Sequence, residues 1–113
     1  MILGIGTDLA QISRIAQAME RPRFIERVLS PAERERAPDP ITASWLAKRW
    51  AAKEAASKAL GTGIGSQLGF HDIEIQTLAT GAPQLSVAKH SGHWHVSLSD
   101  DGDYAQAFVV WSK

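Results

Sequence analysis

Residues 50–61 read Trp-Ala-Ala-Lys-Glu-Ala-Ala-Ser-Lys-Ala-Leu-Gly, an alanine-rich run whose residues strongly favour a helix. Glu54 and Lys58 are four residues apart, so they lie on one helix face, one turn from each other. Trp50 lies a further turn back on that face. An acid beside an amine suits phosphate chemistry, because the carboxylate can hold a metal ion and the amine can meet phosphate charge. The alternative is an ordinary solvent-exposed pair, which is the commonest use of this spacing.

The helix that contains this run is expected to extend from about residue 41 to residue 60. Residues 37–40, Ala-Pro-Asp-Pro, break the chain before it, and Gly61 is a suitable C-terminal cap. Three of its residues are predicted to contact the core: Trp45, Leu46 and Trp50. The glycine-rich residues 61–66 follow the helix and so meet the negative end of its dipole. This position favours a flexible turn over a phosphate-binding loop, which precedes a helix.

The chain opens with Met-Ile-Leu-Gly-Ile-Gly-Thr-Asp-Leu, whose apolar residues indicate a core strand over residues 2–8. Gly4 and Gly6 weaken this strand but let another backbone approach closely. Asp8 lies at the predicted strand end, from which its side chain can point into a site. The alternative is that Asp8 caps a helix beginning near residue 11, since aspartate is a favoured N-cap.

The rest of the pattern predicts short helices followed by antiparallel strands. Helices are expected over residues 11–21, before Pro22, over 23–29, and from Ser30-Pro31-Ala32-Glu33, which has the sequence of a capping box. Strands are expected over residues 72–78, 84–87, 93–99 and 104–111. The last strand is apolar on both faces, which is typical of a buried strand. The order of elements indicates one α+β domain over residues 1–113, with the long helix packed on an antiparallel sheet.

Composition bounds the class of protein. The chain has 113 residues, 44% of them apolar, which suits one globular domain. No segment approaches the ~20 apolar residues of a membrane span, and no secretory signal precedes the first strand. The absence of cysteine excludes disulfides and thiolate metal sites and fits the cytosol. We therefore expect a cytoplasmic protein that does not enter a membrane.

The charges balance in number but not in position. There are 12 basic and 12 acidic residues, and six arginines crowd the first third of the chain. A basic N-terminal half would attract an anionic partner: nucleic acid, an acidic carrier protein or a nucleotide-bearing cofactor. The alternative is a mixed surface, because four glutamates are interleaved with these arginines: Glu20, Glu26, Glu33 and Glu35.

These features together resemble the phosphopantetheinyl transferases of the small holo-acyl-carrier-protein synthase type. The family carries Gly-x-Asp near its N-terminus, matched by Gly6-Thr7-Asp8, and Trp/Phe-x-x-Lys-Glu-x-x-x-Lys, matched by Trp50, Lys53, Glu54 and Lys58. The match continues through residues 61–64, Gly-Thr-Gly-Ile. Residues 28–33 are similar to the Leu-Ser/Thr-x-x-Glu turn of the family, and residues 96–99 with 103–105 to its closing hairpin. The resemblance spans nearly the whole chain.

The resemblance implies a reaction. Members of the family transfer the 4'-phosphopantetheine arm of coenzyme A to a serine of an apo acyl carrier protein, for fatty acid or polyketide synthesis. The products are the holo carrier and adenosine 3',5'-bisphosphate. By resemblance Asp8 and Glu54 hold Mg²⁺, and Lys58 contacts phosphate as the third catalytic residue. Glu54 is the candidate for removing the serine proton, although the identity of the base stays open.

The resemblance also implies binding roles and an assembly. Arg49 and Lys53 are expected to hold the bisphosphate end of coenzyme A. Lys58 is expected to bind coenzyme A through phosphate and to protonate or neutralise the leaving group, and the loop of Gly61 and Gly63 borders the pantetheine arm. Docking of the acidic carrier is expected at Arg14, Arg21 and Arg27, with apolar contacts from Met19 and Phe24. For each arginine the alternative is a solvated helix face. A chain this short resembles the trimeric branch of the family, in which neighbouring subunits share each site.

The chain departs from the family pattern at two places. The closing hairpin often reads Ser-x-Ser-His, but here Asp100 follows Ser97-Leu98-Ser99, so no role is carried onto Asp100. The family usually has another helix before this hairpin, for which residues 87–92 are too short. That difference concerns the packing under the sheet and part of the subunit interface, not the metal site.

Three alternatives to this assignment remain at the level of sequence. His93 and His95 share a strand face, as two zinc ligands could, but no third ligand is suggested and exposed strand histidines are the simpler reading. A non-enzymatic module could use the arginines to bind nucleic acid. Balanced total charge and the lack of an aromatic-basic motif count against nucleic acid as a partner. An inactive domain of a larger assembly is opposed by the joint presence of Asp8, Glu54 and Lys58.

Overall fold

Helices and strands follow one another in the predicted order. The computed structural model describes all residues from Met1 to Lys113. Its strands are β1 (Ile2–Gln11), β2 (Ile73–Thr77), β3 (Pro83–Val87), β4 (His93–Asp101) and β5 (Tyr104–Ser112). Its helices are α1 (Ile12–Ala18), α2 (Phe24–Val28), α3 (Pro31–Arg36) and α4 (Ala43–Leu60), and a 3-10 turn covers Phe70–Asp72. The predicted α+β class is confirmed.

The strands form two antiparallel sheets. One has the order β1-β5-β4, and the other pairs β2 with β3. Strand β1 extends to Gln11, beyond the predicted end at residue 8, because its ladder with β5 continues to the pair Gln11–Tyr104. Asp8 therefore lies within the strand, opposite Ala107, and not at the strand end. Helix α1 is shorter than predicted and ends at Ala18.

Helix α4 lies across the inner face of the larger sheet. The helix side of this contact is made largely of small buried residues: Ala47, Ala51, Ala52, Ala55, Ala56 and Ala59. The sheet side includes Ala105, Ala107 and Val109 of β5, which have no exposed surface. Small side chains on both surfaces let the helix approach the sheet closely. Leu46 is fully buried, and Trp45 and Trp50 pack against this core, as predicted.

The two glycines of β1 make the closest contact between sheet and helix. A Cβ atom on Gly4 would lie 1.9 Å from the carbonyl oxygen of Ala59, and one on Gly6 would lie 1.9 Å from that of Ala55. The predicted close approach of another backbone is thus confirmed, and that backbone is α4. Alternate residues of a strand share a face, so the glycines turn Asp8 toward the same helix.

Local capping explains where α3 begins and where α4 begins and ends. Ser30 accepts a hydrogen bond from the Glu33 backbone N–H while the Glu33 carboxylate accepts one from Ser30, the predicted capping box. Helix α4 begins after Thr42, whose hydroxyl accepts from the Trp45 N–H. It ends at Gly61, which adopts a left-handed conformation with φ 80°. The prediction of Gly61 as the C-cap is confirmed.

The outer face of the larger sheet is uncovered in the single chain and exposes apolar residues of β1 and β5. Along β5, Ala105, Ala107 and Val109 are buried, but Tyr104 and Phe108 are 48% and 45% exposed. The prediction that this strand is buried on both faces is therefore wrong for the single chain, because α4 covers only one side of the sheet. Apolar residues of the adjacent strand β1 extend the exposed face: Ile5 at 59% and Leu9 at 63%.

The connection between β3 and β4 contains no helix. Residues 88–92 form a short turn, as their number predicts, so the family's additional helix is missing here. None of the helices combines the length and the apolar character that a bilayer span requires.

Candidate active site

Strand β1 and helix α4 bring the three predicted catalytic side chains together. The Lys58 ammonium donates to Asp8 Oδ1 at 3.0 Å and to the Thr7 carbonyl at 3.0 Å. Glu54 lies one turn before Lys58 on the helix, and its carboxylate is close enough to Asp8 for the two negative charges to interact. Residues separated by about 50 positions in sequence thus form one cluster, which the glycine contacts of β1 hold in place.

The alternative role for Asp8 as a helix cap is wrong. The residue before α1 is Gln11, which makes no side-chain cap hydrogen bond. The first turn of α1 is instead bound by Asp103, whose carboxylate accepts from the Ser13 backbone N–H at 3.0 Å and from the Ser13 hydroxyl at 2.7 Å. These bonds lower the pKa of Asp103. Asp8 is therefore free to serve the cluster with Glu54 and Lys58.

Asp8 has an unsatisfied oxygen. Its Oδ2 atom is buried and has no hydrogen-bond partner. A buried charged oxygen without a partner is unfavourable, and native structures seldom leave one without a ligand, ion or water. Since Oδ1 is bound by Lys58, Oδ2 is the atom with which Asp8 can bind a cation.

Glu54 carries a perturbed charge. Burial raises the pKa of this carboxyl, the neighbouring Asp8 raises it further, and Lys58 acts in the opposite direction. Two carboxylates that repel each other beside an unsatisfied oxygen suit a divalent cation, which would offset both charges. Mg²⁺ requires only one or two protein carboxylates, because phosphate oxygens and waters complete its shell. The donor set therefore fits magnesium.

Zinc does not fit the donors that the chain provides. The rings of His93 and His95 lie 6.4 Å apart, and no group of three or more histidine, aspartate or glutamate side chains is placed to hold one ion. Protein zinc sites use three or four such ligands. The two histidines instead lie on the outer face of the sheet, as exposed residues of β4.

A cavity of about 460 Å³, called the larger cavity below, opens beside Asp8 and Glu54, which we call the acidic cluster. Arg14, Arg21 and Phe24, three of the five predicted carrier contacts, line it together with Trp50 and Tyr104. Trp50 lies one turn before Glu54 on α4, so the cavity and the cluster share a helix face. Arginines around an apolar floor suit a partner that presents acidic residues around an apolar contact.

A sequence model of the 4'-phosphopantetheinyl transferase superfamily matches residues 4–109. The chain belongs to this superfamily. Among similar members, the holo-[acyl-carrier-protein] synthase of Marinomonas sp. (strain MWYL1) is 48% identical over an alignment that covers 97% of each chain. The synthase of Dinoroseobacter shibae is 46% identical and covers 99% of this chain and 92% of its own.

Solved phosphopantetheinyl transferase structures share the fold. A holo-(acyl-carrier-protein) synthase from Bacillus anthracis, in complex with CoA (3',5'-ADP), matches with a TM-score of 0.90 and 38% identity, over 100% of this chain and 99% of its own. The Helicobacter pylori synthase in complex with coenzyme A has a TM-score of 0.88 and 37% identity, over 96% and 99% of the two chains. The predicted phosphopantetheinyl transferase fold is confirmed.

Lys53 of this phosphopantetheinyl transferase does not lie at the site. The prediction that it holds the bisphosphate end of coenzyme A is wrong, because its side chain is fully buried. Its ammonium donates to Glu33 Oε1 at 2.6 Å, to the Val28 carbonyl at 2.7 Å and to the Phe70 carbonyl at 3.0 Å. An ammonium has three N–H donors, so none is left for a ligand.

Arg49 lies away from Lys58. Nine residues separate them on α4, which places them on opposite sides of a helix with 3.6 residues per turn. The Arg49 guanidinium stacks 4.3 Å from the Trp45 ring and donates to the Thr77 hydroxyl at 3.4 Å, and burial lowers its pKa. Within one chain, Arg49 and Lys58 cannot bind the same phosphate group, so a role for Arg49 stays a prediction.

The other predicted binding residues are spread over the surface near the site. Gly61 and Gly63 lie in the loop after α4, both with positive φ and with open space where a Cβ would point. Met19 lies beside Phe24 in a shallow surface groove, and Arg27 is exposed on α2 outside the larger cavity. The structure thus gathers Arg14, Arg21 and Phe24 but leaves Arg27 apart.

Sequence reasoning missed several residues that the fold uses. Tyr104 and Leu9 line the larger cavity, although only the pairing of β1 with β5 places them there. Asp100, at the family's histidine position, forms an ion pair with Lys48 at 2.8 Å. Glu33 was expected only as a capping residue, yet it is also the buried partner of Lys53. No sequence signal marks these long-range contacts.

Proposed function

We propose that this protein is a holo-[acyl-carrier-protein] synthase. It transfers the 4'-phosphopantetheine arm of coenzyme A to a serine of an apo acyl carrier protein, and releases adenosine 3',5'-bisphosphate. The observation that carries this proposal is the cluster of Asp8, Glu54 and Lys58, in which a buried carboxylate oxygen lacks a partner, on the fold of solved synthases that bind coenzyme A.

Asp8 and Glu54 are the residues that would hold Mg²⁺. When bound, the ion offsets the negative charge of the pyrophosphate and stabilises the departing phosphate. Asp8 offers Oδ2 for this role, since Lys58 already binds Oδ1. Lys58 has three N–H donors and uses two for Asp8 and Thr7, so one remains for a phosphate oxygen of the substrate.

Glu54 is the group that accepts the serine proton. Its raised pKa makes it a stronger base than an ordinary carboxylate. As the proton leaves, the serine oxygen forms a bond to the β-phosphorus and the bond from that phosphorus to the bridging oxygen breaks. The electron pair of the broken bond goes to the adenosine bisphosphate, whose new charge Lys58 can meet.

The carrier docks over the cavity of about 460 Å³. Arg14 and Arg21 meet acidic residues of the carrier, while Phe24 and Met19 contact its apolar residues. Arg27, outside the cavity, adds positive charge on the same side of the molecule and contributes to steering rather than to the docked contact. Such attraction between exposed charges weakens as salt is added.

Coenzyme A extends from the acidic cluster past the loop of Gly61 and Gly63. Both glycines leave open space that a side chain would fill, which suits close passage of the pantetheine arm. We place Arg49, on the opposite side of α4 from Lys58, at the bisphosphate end across a boundary between subunits. We propose that this boundary belongs to a homotrimer, in which a second copy would cover the exposed apolar residues of β1 and β5.

A mass measurement tests the proposed reaction. The chain is mixed with coenzyme A, Mg²⁺ and an apo acyl carrier protein, and the carrier is weighed. A gain of about 340 Da, the mass of the arm, is expected from this reaction class, and EDTA should prevent it. If the mass of the carrier does not change and the protein retards DNA in a gel at physiological salt, the nucleic-acid-binding module is supported instead.

A further inference from the structure

Lys53 and Glu33 form a buried ion pair that the catalytic cluster does not use. The Lys53 side chain has no exposed surface, and Glu33 is 3% exposed. Burial lowers the pKa of Lys53, while the charge of Glu33 opposes that shift. Every donor of the ammonium and both oxygens of the carboxylate have partners, which is the condition under which a buried pair is tolerated.

The pair joins four separate segments to α4. Lys53 reaches the end of α2 through the Val28 carbonyl and the 3-10 turn through the Phe70 carbonyl. Glu33 adds the start of α3, since Oε1 accepts from the Ser30 N–H at 2.9 Å. Its Oε2 accepts from the Ile75 N–H of β2 at 2.9 Å. All of these bonds except that between Ser30 and Glu33 join residues far apart in sequence. They converge on the pair of Lys53 and Glu33, and Lys53 is the neighbour of Glu54.

The position of helix α2 depends on the ion pair of Lys53 and Glu33. It has five residues, too few for a stable isolated helix, and Arg23 at its N-cap makes no side-chain cap bond. Two carbonyls at its C-terminal end are bound from outside: Val28 by Lys53 at 2.7 Å and Glu26 by the His71 ring at 2.6 Å. Such carbonyls have no partner within a helix and need one elsewhere.

The same ion pair positions two of the residues that line the larger cavity. Phe24, the first residue of α2, lines that cavity. So does Trp50, whose ring lies 6.5 Å from the ring of Phe70, the residue whose carbonyl Lys53 binds. Lys53 and Glu54 are adjacent but point about 100° apart around the helix. Lys53 therefore positions the lining of the cavity, while Glu54 faces Asp8.

We propose that Lys53 is a positioning residue that holds helix α2 and the Phe70–Trp50 contact in register with Glu54, so that the serine of a docked carrier meets the acidic cluster. This inference rests on the proposed function, because it assigns a docked carrier to the cavity. Lys53 was predicted to bind the ligand, whereas here its ammonium binds the Val28 and Phe70 carbonyls of segments that line the cavity or pack against its lining.

The test removes both charges together, so that neither is left buried without its partner. The double variant Lys53→Met/Glu33→Gln is compared with the wild type in full enzyme, with coenzyme A, Mg²⁺ and an apo carrier. We expect KM for the carrier to rise about tenfold or more, as with other residues that orient a site, and KM for coenzyme A to change less than about twofold. Amide hydrogen exchange should quicken in residues 24–29.

Two further variants separate positioning from general stability. His71→Ala removes the other external bond to α2 and should raise KM for the carrier in the same direction. Val87→Ala shortens a buried side chain of β3 and should lower thermal stability without changing either KM. If the double variant does not fold, His71→Ala and its hydrogen exchange decide the question.

The outcomes distinguish this inference from the reaction on which it rests. Wild-type enzyme that never loads a carrier contradicts the proposed function, and the positioning role with it. Wild-type loading with equal changes in both KM values, or with unchanged exchange in residues 24–29, overturns the positioning role alone. A carrier-specific rise in KM with faster exchange in α2, absent from Val87→Ala, supports it.

Discussion

Asp8 and Glu54 show how one carboxylate can alter another. Lys58 satisfies one oxygen of Asp8 at 3.0 Å, and the second oxygen is buried without a partner. Burial raises the pKa of Glu54, and the charge of Asp8 raises it further. The folded protein therefore holds a proton on Glu54 more tightly than the unfolded chain does. Ionisation of Glu54 consequently lowers the stability of the fold while it prepares the base.

Replacing Glu54 by glutamine should raise stability and abolish transfer. The ordinary pKa of 4.5 is raised in the folded state, so wild-type stability falls as pH increases through the window above 4.5, and glutamine removes that fall. We expect a higher melting temperature for Glu54→Gln at pH 7 and a difference that disappears below pH 4.5. Turnover should drop by about 10²–10⁴-fold.

Thermal melts from pH 4 to pH 8 and carrier mass measurements check both parts. Glu35→Gln, at an exposed position of α3, removes the same charge away from the cluster and is the control. Near-normal turnover in Glu54→Gln would contradict the assignment of Glu54 as the base. A lower melting temperature than wild type at pH 7 would contradict the account of its burial.

Arg14 is the residue at which carrier docking is most directly tested. It lines the larger cavity, so Arg14→Glu should repel an acidic carrier and raise its KM by about tenfold or more, with KM for coenzyme A little changed. The control Lys89→Glu makes the same charge reversal at an exposed turn outside the cavity. Initial rates at several salt concentrations measure the effect. Equal changes for both substrates would exclude docking at Arg14.

The contact between β1 and α4 explains the position of the site at the level of its elements. Gly4 and Gly6 let the strand meet the helix backbone, and Asp8, two residues further on the same strand face, then reaches the turn of α4 that carries Glu54 and Lys58. The geometry of the site therefore depends on the two glycines, which have no side chain, as well as on the three charged residues.

A single methyl group should displace this contact. In Gly6→Ala the new Cβ would lie 1.9 Å from the Ala55 carbonyl oxygen, so strand and helix must separate. We expect a loss of about 1–3 kcal/mol or more in the free energy of unfolding, measured by urea denaturation, together with weaker transfer. Gly65→Ala is the matched control, because nothing lies within 4 Å of its Cβ position. Equal stability of the two variants would show that the contact is not close.

Association of copies is the property that belongs to the molecule as a whole. The outer face of the larger sheet exposes Ile5, Leu9, Tyr104 and Phe108, each by 45% or more. Several large apolar residues exposed on one sheet face usually mark an interface, and a small domain gains most of its additional buried surface by association. The predicted trimer would cover Ile5 and Phe108 on this face, while Leu9 and Tyr104 also line the cavity assigned to the carrier.

Sedimentation equilibrium should give about three times the chain mass of 12.3 kDa. Phe108→Asp places a charge in the exposed apolar face and should shift the equilibrium towards monomer, with loss of transfer if neighbouring subunits share each site. Leu78→Asp changes a 43% exposed leucine outside the sheet face and is the control. A wild type that sediments as a monomer at micromolar concentration would contradict the trimer.

Helix periodicity predicted that Glu54 and Lys58 share a face, whereas the resemblance of the motifs added Asp8 to them. Alternation along β1 places Gly4, Gly6 and Asp8 on one face, and the spacing of Glu54 and Lys58 places them on one side of α4, because both patterns are local properties of the backbone. Capping at Ser30 and Gly61 was predictable for the same reason. The resemblance of the motifs then supplied the family.

Contacts between distant segments had to come from the folded chain. Lys53 occupies a motif position beside Glu54, yet the segments ending at Val28 and Phe70 cover it, and no local pattern records what packs over a helix face. The apolar outer side of β5 likewise indicates burial without telling whether the same chain or another copy provides it. Local periodicity reports which face of an element a residue occupies, whereas its partner across that face depends on how distant segments pack.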